Sequence, residues 1–308
     1  MLRAGPRSKF PPLAPLATAG GFQDAPSDVE RCVTCGRPAG TPFCPHCGER
    51  RAADHAYTLH ALAADVWDQV TPADGKSLRS LWLLVRRPGA LTTAYMRGVR
   101  QPYLSPLRLF LLINLAFFAA ASYSGQHVLS TPLSAHTHYG FYANTARTMV
   151  ARRLTERRIS ADEYARRFNA TVETQARSLV VVMVPAYALL AAAVQFGRRR
   201  PALHHLAFGF HAVAAMLVIL VAGGAFFSLP LEIALRSGVL HLSAEAQDFV
   251  VSAPLLLLFW AWLAFGVREA YGGRWWSAVA KGAALAAVFI VVLTAYRALL
   301  FFTAFWAT

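Results

Sequence analysis

At 308 residues the chain could hold two ordinary domains, but 56% of its residues are hydrophobic, only 15% are charged and its mean hydropathy is +0.39. The apolar residues are gathered into long unbroken runs, which excludes a soluble globular class and indicates membrane-spanning helices. A net charge of +14 calls for an anionic partner; in a multi-pass chain that is an anionic lipid surface, and no nucleic acid is expected.

Residues 1–30 are rich in Pro, Gly and Ala. They carry the basic residues of a signal peptide without its apolar run, and read as a disordered cytoplasmic tail. All four cysteines then fall in CVTCGRPAGTPFCPHC, residues 32–47 of an expected ribbon over 31–50. Cys32–Cys35 and Cys44–Cys47 are two C-x-x-C knuckles, and the glycines that follow, Gly36 and Gly48, allow a tight turn around a metal. Two disulfides would need an oxidising compartment, and a redox pair would need a surrounding βαβ unit. Structural zinc is therefore expected, with iron as the rival ion, and four protein ligands leave no open position for catalysis. His46 stands between the ligands as a spectator.

Residues 51–106 form an interfacial platform. Leu59, Leu62, Ala63, Val66, Trp67 and Val70 recur at helical spacing. SLRSLWLLVRRPG places Leu78, Leu81, Trp82 and Val85 on one face and stops at Pro88–Gly89; ALTTAYMRG stops at Gly98. Lys76, Arg79, Arg86, Arg87, Arg97, Arg100 and Arg108 follow one another with no acidic residue between them. Each contributes about 1 kcal/mol near an anionic leaflet, so this stretch is expected to bind the membrane surface.

The fold class is all-α: a bundle of five spans, at about 107–123, 179–196, 208–228, 249–267 and 282–302, within a transmembrane domain over 107–308. The basic platform, Arg198–Arg200 and the Arg268, Arg274, Lys281 group share one side if the N-terminus is cytoplasmic. The loop 124–178 resists this, because the topology puts it outside although it carries eight arginines, which favour the cytoplasmic side. Interleaved Glu156, Asp162, Glu163 and Glu173, and a Ser160–Glu163 capping box, make it a soluble, salt-bridged helical insert.

Polar residues within spans are costly in lipid, so Asn114, His211 and Arg297 are candidates for an intramembrane site. The plainer reading has Asn114 bonding a neighbouring helix, His211 facing headgroups and Arg297 snorkelling outward. His127, His136 and His138 read as an exposed loop, and His204 and His205 as interfacial residues. Glu232 and Arg236 are spaced to pair on an outer helix. No catalytic residues, phosphate-binding loop or nucleophile elbow stands out.

The order CVTCG, CPHCG, then DGKSLRSLWLLVRRPGALTTAYMRGVRQPYLSPLRLFLLINLAFF resembles an uncharacterised bacterial family of zinc-ribbon inner-membrane proteins. The likeness rests on Arg87-Pro88-Gly89, on Tyr95 to Arg100 and on Tyr103 to Pro106, within residues 31–120. It implies a bacterial inner-membrane location and no known reaction. The expected function is a non-enzymatic, membrane-anchored zinc-ribbon module that binds a cytoplasmic protein partner or the lipid surface. The alternative is a small transporter or channel lined by the polar residues of the spans.

Overall fold

Long apolar runs without internal stops become long helices, because a backbone in lipid must satisfy its own hydrogen bonds. The computed structural model describes residues 31–39, 41–50, 75–124, 129–195 and 200–308. The expected tail over 1–30, the apolar face from Leu59 to Val70, and His127, Arg198 and Arg199 lie outside the described residues.

The helices are α1 (Gly75–Arg86), α2 (Ala90–Met96), α3 (Pro106–Ser124), α4 (Leu133–His138), α5 (Ala143–Arg157), α6 (Ala161–Val194), α7 (Ala202–Gly223), a π turn (Gly224–Ser228), α8 (Leu229–Arg236), α9 (Ala244–Tyr271) and α10 (Trp275–Ala307). Among the described residues the sole β features are two isolated bridges, Arg31 with Pro38 and Phe43 with Arg50.

Five segments are long and apolar enough to cross a membrane: Pro106–Tyr123, Ala161–Val194, Ala202–Arg236, Ala246–Tyr271 and Trp275–Ala307. They coincide in number and place with the expected spans but run longer. α6 is the clearest case. Ser160 Oγ caps it by accepting from Glu163 N at 3.2 Å, and the helix then continues through the charged insert and Pro185 to Val194.

α6, α7, α9 and α10 form a ring in which each packs on the next, and α3 lies against α7. Small residues set the close contacts, as expected where lipid tails are as apolar as the helices themselves. A Cβ on Gly282 would stand 2.9 Å from the backbone of Ala264, and one on Gly209 would stand 3.1 Å from Ala188 Cβ. Leu115, Leu189, Leu257 and Val291 are exposed on the outside of the bundle, where lipid would cover them.

The insert sits on the α6–α10 end of the bundle. Leu133 N donates to Asn169 Oδ1 at 2.9 Å, and the Tyr296 hydroxyl donates to Leu129 O at 3.2 Å. Its expected ion pairs form along the helices: Arg152 with Glu156, Arg167 with Glu163 and Arg177 with Glu173. All three are solvent-exposed, so each contributes at most about 0.5 kcal/mol.

Candidate metal centre

The two knuckles are built alike, with each residue of the first matched twelve positions later. Cys32 N donates to Arg37 O and Gly36 N to Cys32 O, both at 2.8 Å; Cys44 N donates to Glu49 O and Gly48 N to Cys44 O, again at 2.8 Å. Both glycines have φ +71°, a left-handed conformation that costs a side chain about 1–2 kcal/mol. The turns carry all four sulfurs to one point, within 4.8 Å of one another. Cys32 Sγ lies 3.5 Å from Cys47 Sγ, and Cys35 Sγ 3.6 Å from Cys44 Sγ. A tetrahedral metal with bonds of about 2.3 Å sets its sulfurs roughly 3.8 Å apart, so the spacing fits such an ion.

Backbone N–H groups of His46 and Cys47 pull the Cys44 thiol down to about 7, while burial pushes Cys47 up to about 12. Four thiols in one small volume cannot all ionise alone, and a divalent cation removes that conflict. His46 takes no part: its Nδ1 accepts from Arg37 at 2.8 Å.

The ribbon is tied to the platform by a residue that the sequence reading passed over. Glu49, two positions after the last ligand, is buried, and its Oε2 accepts from the backbone N–H groups of Arg100 (2.9 Å) and Gln101 (2.8 Å) and from Thr34 Oγ1 (2.6 Å). Lys76 Nζ donates to Gln101 Oε1 at 2.8 Å, closing the same junction from α1. The four-cysteine cluster is thereby fixed to the turn that leads into α3.

Of the basic residues expected at the membrane surface, Arg79, Arg86, Arg87 and Arg97 are exposed. Lys76, Arg100 and Arg108 instead line a cleft of about 270 Å³ shared with Glu49 and Arg50. The platform itself packs on the bundle. Trp262 Nε1 donates to Leu84 O at 2.8 Å, and Thr92 Oγ1 meets His211 Nδ1 at 2.8 Å.

The three intramembrane polar residues have separate partners. Asn114 Nδ2 donates to Arg177 O at 3.1 Å, which is the expected bond to a neighbouring helix. His211 is buried against Thr92 and does not face headgroups. Arg297 is half-buried and directs its charge toward His136 and Tyr142. His204 and His205 are also buried, against Tyr271, whose hydroxyl lies 2.9 Å from His205 Nδ1. Glu232 and Arg236 pair as their spacing predicts.

His136 departs most from expectation. It is fully buried within α4, its Nδ1 2.7 Å from the Tyr142 hydroxyl and its ring among Tyr142, Phe168 and Phe301. Burial, and then the positive field of Arg297, lower it from 6.5 to about 4. Between those values the unfolded state binds a proton that the folded state refuses, so stability falls as pH drops through that window. The opening free energy of Leu133–His138, followed by hydrogen exchange, is expected to decline from pH 7 to pH 4.5. His136→Phe should flatten the decline, and a pH-independent wild type would contradict the assignment.

Fold and geometry together define a multi-pass α-helical membrane protein with a four-cysteine cluster of metal-binding geometry. A family model described as a protein of unknown function, DUF3667, matches residues 74–118, which cover α1, α2 and most of α3. The ribbon lies outside that match. No curated protein and no solved structure matches the chain.

Proposed function

We propose that this is a bacterial inner-membrane protein with a cytoplasmic N-terminus, in which a structural zinc ribbon and a basic interfacial platform form one non-enzymatic binding surface for a partner protein or anionic headgroups. The observation that carries the reading is the join between the parts. A cluster closed by four thiolates cannot offer a position to substrate, yet Glu49 ties it to the Arg100–Gln101 turn at the entry to α3. A rigid ribbon seated there presents a surface and performs no chemistry of its own. Zinc is preferred to iron because its tetrahedral thiolate site needs no redox partner.

The test is purification in mild detergent with metal and partner analysis of one sample. One zinc per chain is expected, together with a set of associated proteins that is lost when Cys32 and Cys35 are changed to Ser. Iron in its place, or an unchanged set of partners, would overturn the reading. Reporters fused after Gly140 and Gly238 should signal from outside the cytoplasm, and a cytoplasmic signal at either refutes the orientation.

A further inference from the structure

Beside the bundle, α7, its π turn and α9 enclose a groove of about 590 Å³ whose floor is the end of α1. Ala215, Ile219 and Phe227 form one wall, and Leu258 and Phe265 the other. The volume is that of a site for a small molecule, but the lining gives it almost nothing to bond. Trp262, the one aromatic N–H in the wall, is already donating to Leu84 O. The single charged lining residue is Arg86, at the α1 end. Its guanidinium is exposed, lies 4.4 Å over the ring of Trp82, and pairs with no carboxylate among the described residues.

An apolar trough on the lipid side of a membrane bundle fills with acyl chain, since nothing in it would hold water. From Ala215 to Phe227 the helix advances roughly 18 Å, a little more than half of a hydrocarbon core of about 30 Å. A tail entering from one leaflet would therefore occupy the groove along most of its length. Its headgroup would then lie by Arg86 and Trp82, the residue pair that marks headgroup depth. An arginine there selects a phosphodiester by its paired N–H donors and favours a headgroup of net negative charge.

We propose that this groove binds one anionic glycerophospholipid, with an acyl chain along α7 and α9 and the phosphate on Arg86. The proposal rests on the reading of the platform as a lipid-facing surface, and sharpens it from a diffuse basic face to one defined site.

The test is native mass spectrometry of the full chain, delipidated in mild detergent and supplied with phosphatidylglycerol or phosphatidylcholine. The wild type is expected to hold one phosphatidylglycerol per chain in about fivefold preference to phosphatidylcholine, the effect of one basic residue at a membrane surface. Arg86→Gln should erase the preference and Arg86→Lys should keep most of it. Ala261→Phe, at an exposed position in the α9 wall, should lower occupancy by both lipids; thermal stability in detergent checks that each variant is folded. An unchanged preference in Arg86→Gln, or unchanged occupancy in Ala261→Phe, overturns the proposal. So does a disulfide between chains through Ala261→Cys, which would seat a second copy in the groove. If the groove alone fails, changing Arg79, Arg87 and Arg97 together to Gln still lowers retention of anionic lipid. If the platform reading fails, that triple variant retains lipid as the wild type does.

Discussion

A Cys44→Ser chain is expected to keep its spans inserted and to lose both its metal and its folded ribbon. The ribbon has almost no core to fall back on: its buried cluster consists of Cys32, Ala39 and Cys44, with Cys47 partly buried beside them. Two isolated bridges and four turn hydrogen bonds cannot offset the entropy of ordering some twenty residues at roughly 1–2 kcal/mol each. In small thiolate domains the ion supplies that difference, with an apparent 10–16 kcal/mol at neutral pH. Metal content should therefore fall to background, and trypsin should cut at Arg31 and Arg50 in the variant but not in the wild type. Glu49→Ala separates folding from docking. It removes two hydrogen bonds from backbone N–H to carboxylate, each of roughly 1.5–3 kcal/mol, and leaves the ligands in place. Metal should be retained while the amides of Arg100 and Gln101 lose protection from exchange. A Cys44→Ser protein with full metal content, or a Glu49→Ala protein without metal, would contradict this division of roles.

Much of this architecture is written in local patterns. The five spans follow from apolar runs, the knuckles from C-x-x-C-G repeated at twelve residues, and the α6 start from Ser160 and Glu163. Long-range burial is what escaped. His136 lies in SAHTHYG, where no periodicity marks an inward face; it is buried because Phe301, on a helix 165 positions later, closes over it. His204 and His205, beside the triple arginine, invite an interfacial reading and His211 a headgroup-facing one, yet Tyr271 of α9 covers the first two and Thr92 of α2 the third. Glu49 left a weak signal that could have been used. It is the lone acidic residue of the ribbon, and the basic stretch from Lys76 to Arg108 has none. A single carboxylate beside an acid-free basic stretch is where an electrostatic tie should be sought. That its partners are two backbone N–H groups depends on the turn at Arg100, which only the assembled fold supplies.

Gly89→Ala is expected to separate the platform from the bundle, and its cost has two parts that a control can divide. Gly89 has φ +85°, which L residues adopt at about 1–2 kcal/mol. A Cβ there would also lie 2.5 Å from Gly266 O, 3.1 Å from Gly266 Cα and 3.0 Å from Glu269 Cβ. Gly266 is backbone of α9, and α9 cannot retreat, because its other side packs on α10 so closely that a Cβ on Gly282 would stand 2.9 Å from the Ala264 backbone. The platform must move, and three bonds move with it: Trp262 to Leu84, Thr92 to His211, and Thr93 Oγ1 to Glu269 O at 3.3 Å. Thr92 and His211 are both buried, so parting them leaves two polar groups unsatisfied at about 1–3 kcal/mol each. Gly238→Ala measures the backbone part alone: φ is +72° there, and nothing lies within 4 Å of the added methyl. In detergent, Gly238→Ala should unfold slightly below the wild type and Gly89→Ala far below it, with the α2 amides of Gly89→Ala exchanging freely. Equal losses in the two variants would mean that the glycine of Arg87-Pro88-Gly89 serves only its turn and that α9 does not depend on its closeness.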